Sequence, residues 1–159
     1  MSTAQTLNIQ EFMARHLVEV FDTMLAIKAV PADHPKPPAV AERVTGSVAF
    51  AGDAVTGAVY LHLSAGFATR SAAAMLGLSP EEAAGESEVN DVVGEITNML
   101  AGGLKSALCD SGVPCAVSTP AIIRGTSFAI ESAPGVERVF LTFLCDPAHV
   151  VVEVHIKYT

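Results

Sequence analysis

The chain predicts an α+β domain: a mostly antiparallel six-stranded sheet, with one long helix and further helices packed on it. Three observations carry that prediction. Val150, Val152, Val154, Ile156 and Tyr158 alternate with Val151, Glu153, His155 and Lys157 in strict period two, the mark of a strand with one buried face. Val89, Val92, Val93, Ile96, Met99, Leu100 and Leu104 recur at helical spacing in a segment that runs from about Ser87 to about Asp110. The elements follow one another as helix, two strands, two helices and four strands, with no dividing linker and no repeat. Residues 1–159 therefore read as a single domain.

Each element has a local reason. Ile9, Phe12, Met13, His16, Leu17, Val20, Phe21, Met24 and Leu25 share one helical face, which predicts a helix over residues 5–28. His16 lies on that face and reads as a hydrogen-bonded core histidine. Residues 31–38 hold four prolines and are expected to form a loop, because proline propagates neither helix nor ladder. His34 within that loop has no companion at metal-ligand spacing. Residues 42–51 and 54–63 read as two strands joined at Gly52-Asp53. Ser64 is placed to cap a helix over 65–76 that Gly77 stops. Ser79-Pro80-Glu81-Glu82 has the form of a capping box opening a short helical turn. The long helix ends before Gly112-Val113-Pro114. Four strand-like runs follow, 115–123, 126–132, 137–145 and 149–158, with turns at Arg124-Gly125, Pro134-Gly135 and Asp146-Pro147.

Composition narrows the function classes. Hydrophobic residues make up 50% of the chain and charged ones only 16%. So apolar a balance leaves surface for a second copy or a partner to cover, and a homodimer is the simplest expectation. The formal net charge is −8, with nine Lys and Arg and no basic cluster, which argues against nucleic acid. No apolar run reaches the roughly 18 residues of a membrane span, and the N-terminus lacks a signal-peptide pattern; the expectation is a soluble, cytoplasmic protein. Cys109, Cys115 and Cys145 lack CxxC spacing and read as reduced core thiols. His62, His149 and His155 imply no third ligand, so no metal site is expected.

The chemistry concentrates on the long helix. At 100° per residue Glu88, Asp91, Glu95, Asn98 and Gly102 fall in a stripe about 80° wide beside the apolar face. Glu95 and Asn98 set a carboxylate and a carboxamide side by side, able to accept from a lysine and to orient a water. They supply no nucleophile, so the reactive group belongs to a partner. A Glu-x-x-Asn spacing is cheap, arising by chance in roughly one chain of this size in three. The alternative reading is a solvated helix face. The surroundings argue against it: asparagine gains little in mid-helix, and Gly94, Gly102 and Gly103 each cost about 1 kcal/mol relative to alanine. Gly102 on the stripe would admit a partner closely, whereas Gly103 on the apolar face suits tight packing on the sheet.

Gly94-Glu95-Ile96-Thr97-Asn98-Met99-Leu100-Ala101-Gly102 resembles the active-site helix of the CheX-like chemotaxis phosphatases, relatives of CheC and of the flagellar-switch protein FliY. The resemblance spans residues 7–158 and includes the order of elements, a CheC-like fold. One such helix rather than two favours the CheX type; residues 65–76 carry no Glu-x-x-Asn. The resemblance implies dephosphorylation of a phospho-aspartyl response regulator of the CheY type. It implies Asn98 positioning the attacking water and Glu95 pairing with the regulator's lysine; Glu88 and Asp91 beside them read as an acidic docking rim or else as solvated surface, and Gly102 as part of the partner-binding surface. It also implies a homodimer joined through its sheets and no cofactor beyond Mg²⁺ supplied by the regulator. Two alternatives remain open on the residues alone. One is a non-catalytic binding module for a regulator or flagellar-switch component. The other, weaker for want of a Ser, Cys or metal constellation, is a small hydrolase using Glu95 as base.

Overall fold

The structure, a computed structural model, describes residues 7–33, 42–79, 82 and 84–159. Its first helix, α1 (Ile9–Val20), begins at Asn8, whose side chain accepts from the Glu11 N–H at 3.0 Å. The predicted helix over 5–28 is cut short. A single π-turn over Phe21–Leu25 follows α1, and Ala26 ends it in the left-handed conformation (φ 53°). Residues 1–6 lie outside the described residues.

Pro31, expected in a loop, instead sits in a short strand, β1 (Val30–Ala32), paired with β6 (Glu137–Cys145). The strand is an edge, where a missing N–H removes no ladder bond on the open side. Residues 34–38 of that predicted loop, His34 included, lie outside the described residues. The hairpin is as expected: β2 (Arg43–Ala51) and β3 (Val55–Ser64) pair antiparallel, and the Gly52 N–H donates to the Val55 carbonyl at 2.8 Å. Helix α2 (Ala65–Leu76) is capped by Ser64 and stopped by Gly77 at φ 69°, as the sequence predicts. Of the proposed capping box, Ser79 and Glu82 hydrogen-bond each other; residues 80 and 81 are not described. Helix α3 (Glu86–Asp110) matches the long motif segment.

The remaining strands are β4 (Ala116–Val117), β5 (Ala121–Gly125), β6 and β7 (Ala148–Tyr158). The sheet runs β1-β6-β7-β3-β2-β4 with β5 also on β2, every pairing antiparallel. It is thus six positions wide but seven strands in count, because the outermost position is interrupted. Between the pairs Phe50–Val117 and Ser47–Ala121, two residues of β2 face three of the outer strand, and Pro120 falls in that bulge. Ser118 fills the gap by accepting the Ala49 N–H on its hydroxyl at 2.9 Å. Two further expectations change here. Arg124-Gly125 is strand rather than turn, and residues 126–132 form no strand. The ladder between β5 and β2 ends at Gly125, which pairs with Arg43 at the start of β2. The chain instead crosses the sheet, and the Phe128 ring lies on the Arg43 guanidinium.

All three helices cover one face of the sheet, and Met13, Leu17, Phe21, Leu61, Ile96, Leu100, Leu104 and Phe143 are fully buried between the layers. The opposite face carries Thr45, Tyr60, His62, Val151, Glu153 and His155, with Phe140 and Ile123 toward its margins. The expectation that β7 buries one face alone is therefore corrected: Val151, Glu153 and His155 are buried too. Among the described residues no helix is long and apolar enough to cross a membrane.

Candidate functional site

The polar stripe of α3 forms because the rest of that helix is committed to packing. Val89, Val92, Val93, Ile96, Thr97, Leu100, Leu104 and Leu108 are buried against the sheet and the other helices. Two glycines let the helix approach so closely, and neither is on the stripe. A Cβ on Gly46 in β2 would run into the Thr97 hydroxyl, which itself donates to the Val93 carbonyl at 2.7 Å. A Cβ on Gly103 would run into the His16 ring. The imidazole Nε2 donates to the Met99 carbonyl at 3.1 Å, so His16 is the packed, hydrogen-bonded histidine expected. Gly103 therefore serves helix–helix packing on α1, not packing on the sheet. At the other end Arg124 of β5 donates twice to the Asn90 side-chain oxygen (2.8 and 3.0 Å) and once to Glu42 at 3.3 Å. Helix α3 is held at three points along its length.

What these supports leave outward is the predicted pair. Glu95 is exposed and Asn98 half-buried, one turn apart and about 4.5 Å along the axis. Neither side chain is hydrogen-bonded or ion-paired among the described residues. An unbonded carboxamide on a rigid helix keeps both its donors and its acceptor for an incoming group. Asp91 is exposed one turn before Glu95, and a Cβ on Gly102 would meet open space. Glu88 differs from the others. Its carboxylate accepts the Gly85 N–H at 3.0 Å, closing the first turn of α3. The structure thus places Glu95, Asn98, Asp91 and Gly102 on one open surface, with Glu88 at its rim engaged in capping.

Sequence reasoning missed Gly46, Arg124 and, on the opposite face of the sheet, Glu153. The last is 2% exposed and accepts from His62 (3.0 Å), His155 (2.7 Å) and Arg138 (2.8 and 2.7 Å). Burial alone would push its carboxyl up, but those three donors and the arginine charge bring it down to about 2. Its alternation with valines looked like a solvated strand face, and two of its partners, His62 and Arg138, come from other strands. Among the described residues no group of three or more His, Cys, Asp or Glu is placed to hold a metal ion. The cysteines are free, but only Cys145 is a core thiol: Cys115 is half-buried and Cys109 exposed.

The fold has known counterparts. Chemotaxis protein CheX from Vibrio vulnificus superposes with a TM-score of 0.80 at 26% identity, covering 95% of this chain and 97% of that one. A CheC-like superfamily protein from Shewanella sp. PV-4 gives 0.79 at 24% identity, covering 96% and 99%. The CheX chain in the CheX–CheY–BeF₃–Mg²⁺ complex from Borrelia burgdorferi gives 0.73 at 20% identity, covering 96% and 99%. No curated protein matches the chain. The family model for chemotaxis phosphatase CheX matches residues 44–144, which run from β2 into β6 and include the whole of α3. The chain belongs to the CheX family of chemotaxis phosphatases.

Proposed function

We propose that this protein hydrolyses the aspartyl phosphate of a CheY-type response regulator, with α3 inserted into the regulator's phosphorylated pocket. The observation that carries the reading is Asn98: a carboxamide with no hydrogen bond among the described residues, on a helix braced at three points. In the pocket its oxygen accepts from a water and holds that water in line with the phosphorus. Attack forms the new P–O bond, the bond to the aspartyl oxygen breaks, and the regulator's carboxylate leaves with inorganic phosphate released. Glu95, one turn earlier, pairs with the regulator's lysine and fixes the depth of insertion, while Asp91 and the bare surface at Gly102 complete the contact.

The division of labour suits the chemistry. An acyl phosphate is already reactive, and the regulator's own Mg²⁺, of the kind present in the Borrelia complex, neutralises charge on the phosphoryl oxygens. The missing ingredient is an oriented nucleophile, the role that a glutamine fills in GTPases. Orientation of a single water is worth several kcal/mol, and an amide holds one without titrating near neutral pH. No cofactor of the protein's own enters the reaction.

The protein acts as a homodimer in this reading. Val30 and Leu144 are exposed large hydrophobics on one face of the β1–β6 margin, a patch that a second copy would cover. The test is to mix the protein with phosphorylated CheY-like regulators from the same genome and time phosphate loss. A shortened lifetime with a cognate regulator is expected. Complex formation with an unchanged lifetime would make the protein a binding module instead.

A further inference from the structure

The face of the sheet turned away from the helices is not flat. Residues 126–130 cross over it and, with β2, β3, β6 and β7, enclose a pocket of about 590 Å³. That volume falls within the range of roughly 300–1,000 Å³ typical of small-molecule sites. Its walls are mostly apolar: Phe128, Ile130, Phe140, Pro147 and Val151. Its floor carries two arginines and a histidine, in a protein whose net charge is −8. Arg43 comes from β2, His62 from β3 and Arg138 from β6, with a single carboxylate, Glu153 of β7, between them. Adjacent strands each contribute one residue to the same face, which is why no basic cluster shows in the sequence.

The bonding of the floor decides the charge and size of the occupant. Both oxygens of Glu153 are taken, one by His62 and the other by His155 and Arg138. Arg43 has no carboxylate within ion-pair distance among the described residues. It donates to the Phe128 carbonyl, and its guanidinium carbon sits 3.8 Å from the Phe128 ring centroid. A guanidinium stacked on a ring keeps an in-plane edge for a bidentate anion. One guanidinium without an ion-pair partner among the described residues matches one negative charge better than two, since the Nε and Nη2 of Arg138 are already engaged by Glu153.

We propose that this pocket binds a small organic monocarboxylate, its carboxylate on Arg43 and its apolar body along Phe128, Ile130 and Phe140. The site lies on the opposite side of the sheet from α3 and is separate from the proposed phosphatase surface.

Octanoate is a suitable probe, titrated into the full-length protein by calorimetry, with octanol and octylamine as controls. Saturable one-to-one binding of octanoate is expected, with octanol and octylamine at least about tenfold weaker. Arg43→Met is expected to weaken octanoate by about tenfold or more while phosphate release from a cognate regulator is unchanged. If Arg43→Met fails to fold, Ile130→Glu, which sets a carboxylate against the probe in the wall, is expected to abolish binding to a folded protein. Absence of saturable octanoate binding to the unmodified protein overturns the proposal, as does equal binding of octanol. A dimer that dissociates in Phe128→Asp, with no octanoate binding at any protein concentration, also overturns it and assigns the pocket to a second copy.

Discussion

Asn98 occupies a helix interior where asparagine is a poor choice, and no side-chain hydrogen bond among the described residues offsets the cost. Replacing it with alanine removes a propensity penalty of about 0.5 kcal/mol. Asn98→Ala is therefore expected to leave the melting temperature unchanged or slightly raised, as thermal denaturation will show. A fall of several degrees would mean that the amide is structural. The cysteines offer a second test at the same scale. Burial holds the Cys145 thiol up at about 11, whereas Cys109 is exposed. Iodoacetamide at pH 8 is expected to modify Cys109 and spare Cys145 in the native protein, with peptide mass mapping as the readout. Glu95 and Asn98 were legible in the sequence because a helix brings residues three apart onto one face. Glu153 was not, because burial of a carboxylate depends on His62 and Arg138 as well as His155, and only the sheet register brings those two near.

Helix α3 is held where it is by small residues, and its glycines divide by what surrounds them. Gly46→Ala drives a methyl group into Thr97, and Gly103→Ala drives one into His16. Each is expected to cost about 1–3 kcal/mol in urea denaturation, as overpacking does. Gly102→Ala meets open space and is expected to gain up to about 1 kcal/mol from helix propensity. If all three behave alike, the packing account of this helix is wrong. The start and stop of α2 and the end of α3 were legible because capping and glycine signals are local. The pairing of Pro31 and the path of 126–132 were not, since each depends on whether a neighbouring strand is present to pair with.

At the scale of the molecule, the sheet separates two chemistries. One side seats the helix that bears Glu95 and Asn98; the other buries a carboxylate among three donors. The depressed Glu153 carboxyl links that second layer to pH. Between its usual value of 4.5 and about 2 the unfolded chain binds a proton that the native state does not, so stability rises with pH there. The contribution is fully present above pH 4.5 and is lost as the pH falls toward 2. Glu153→Gln is expected to be less stable at pH 7 and to show a flatter acid limb in denaturant titrations. The α+β class and the antiparallel sheet were readable from alternation and element order alone. The polar second face was not, because a strand buried on both sides by side chains from its neighbours alternates as a half-exposed one does.

The most direct measurement is single-turnover phosphate release from a cognate phosphorylated regulator, with unmodified protein and with Asn98→Ala. Both are held above the dissociation constant determined separately on the beryllofluoride-loaded regulator. The account predicts that Asn98→Ala binds the loaded regulator with nearly unchanged affinity yet leaves the phosphate lifetime at its spontaneous value. Acceleration by Asn98→Ala equal to that of the unmodified protein, at equal occupancy, would contradict it.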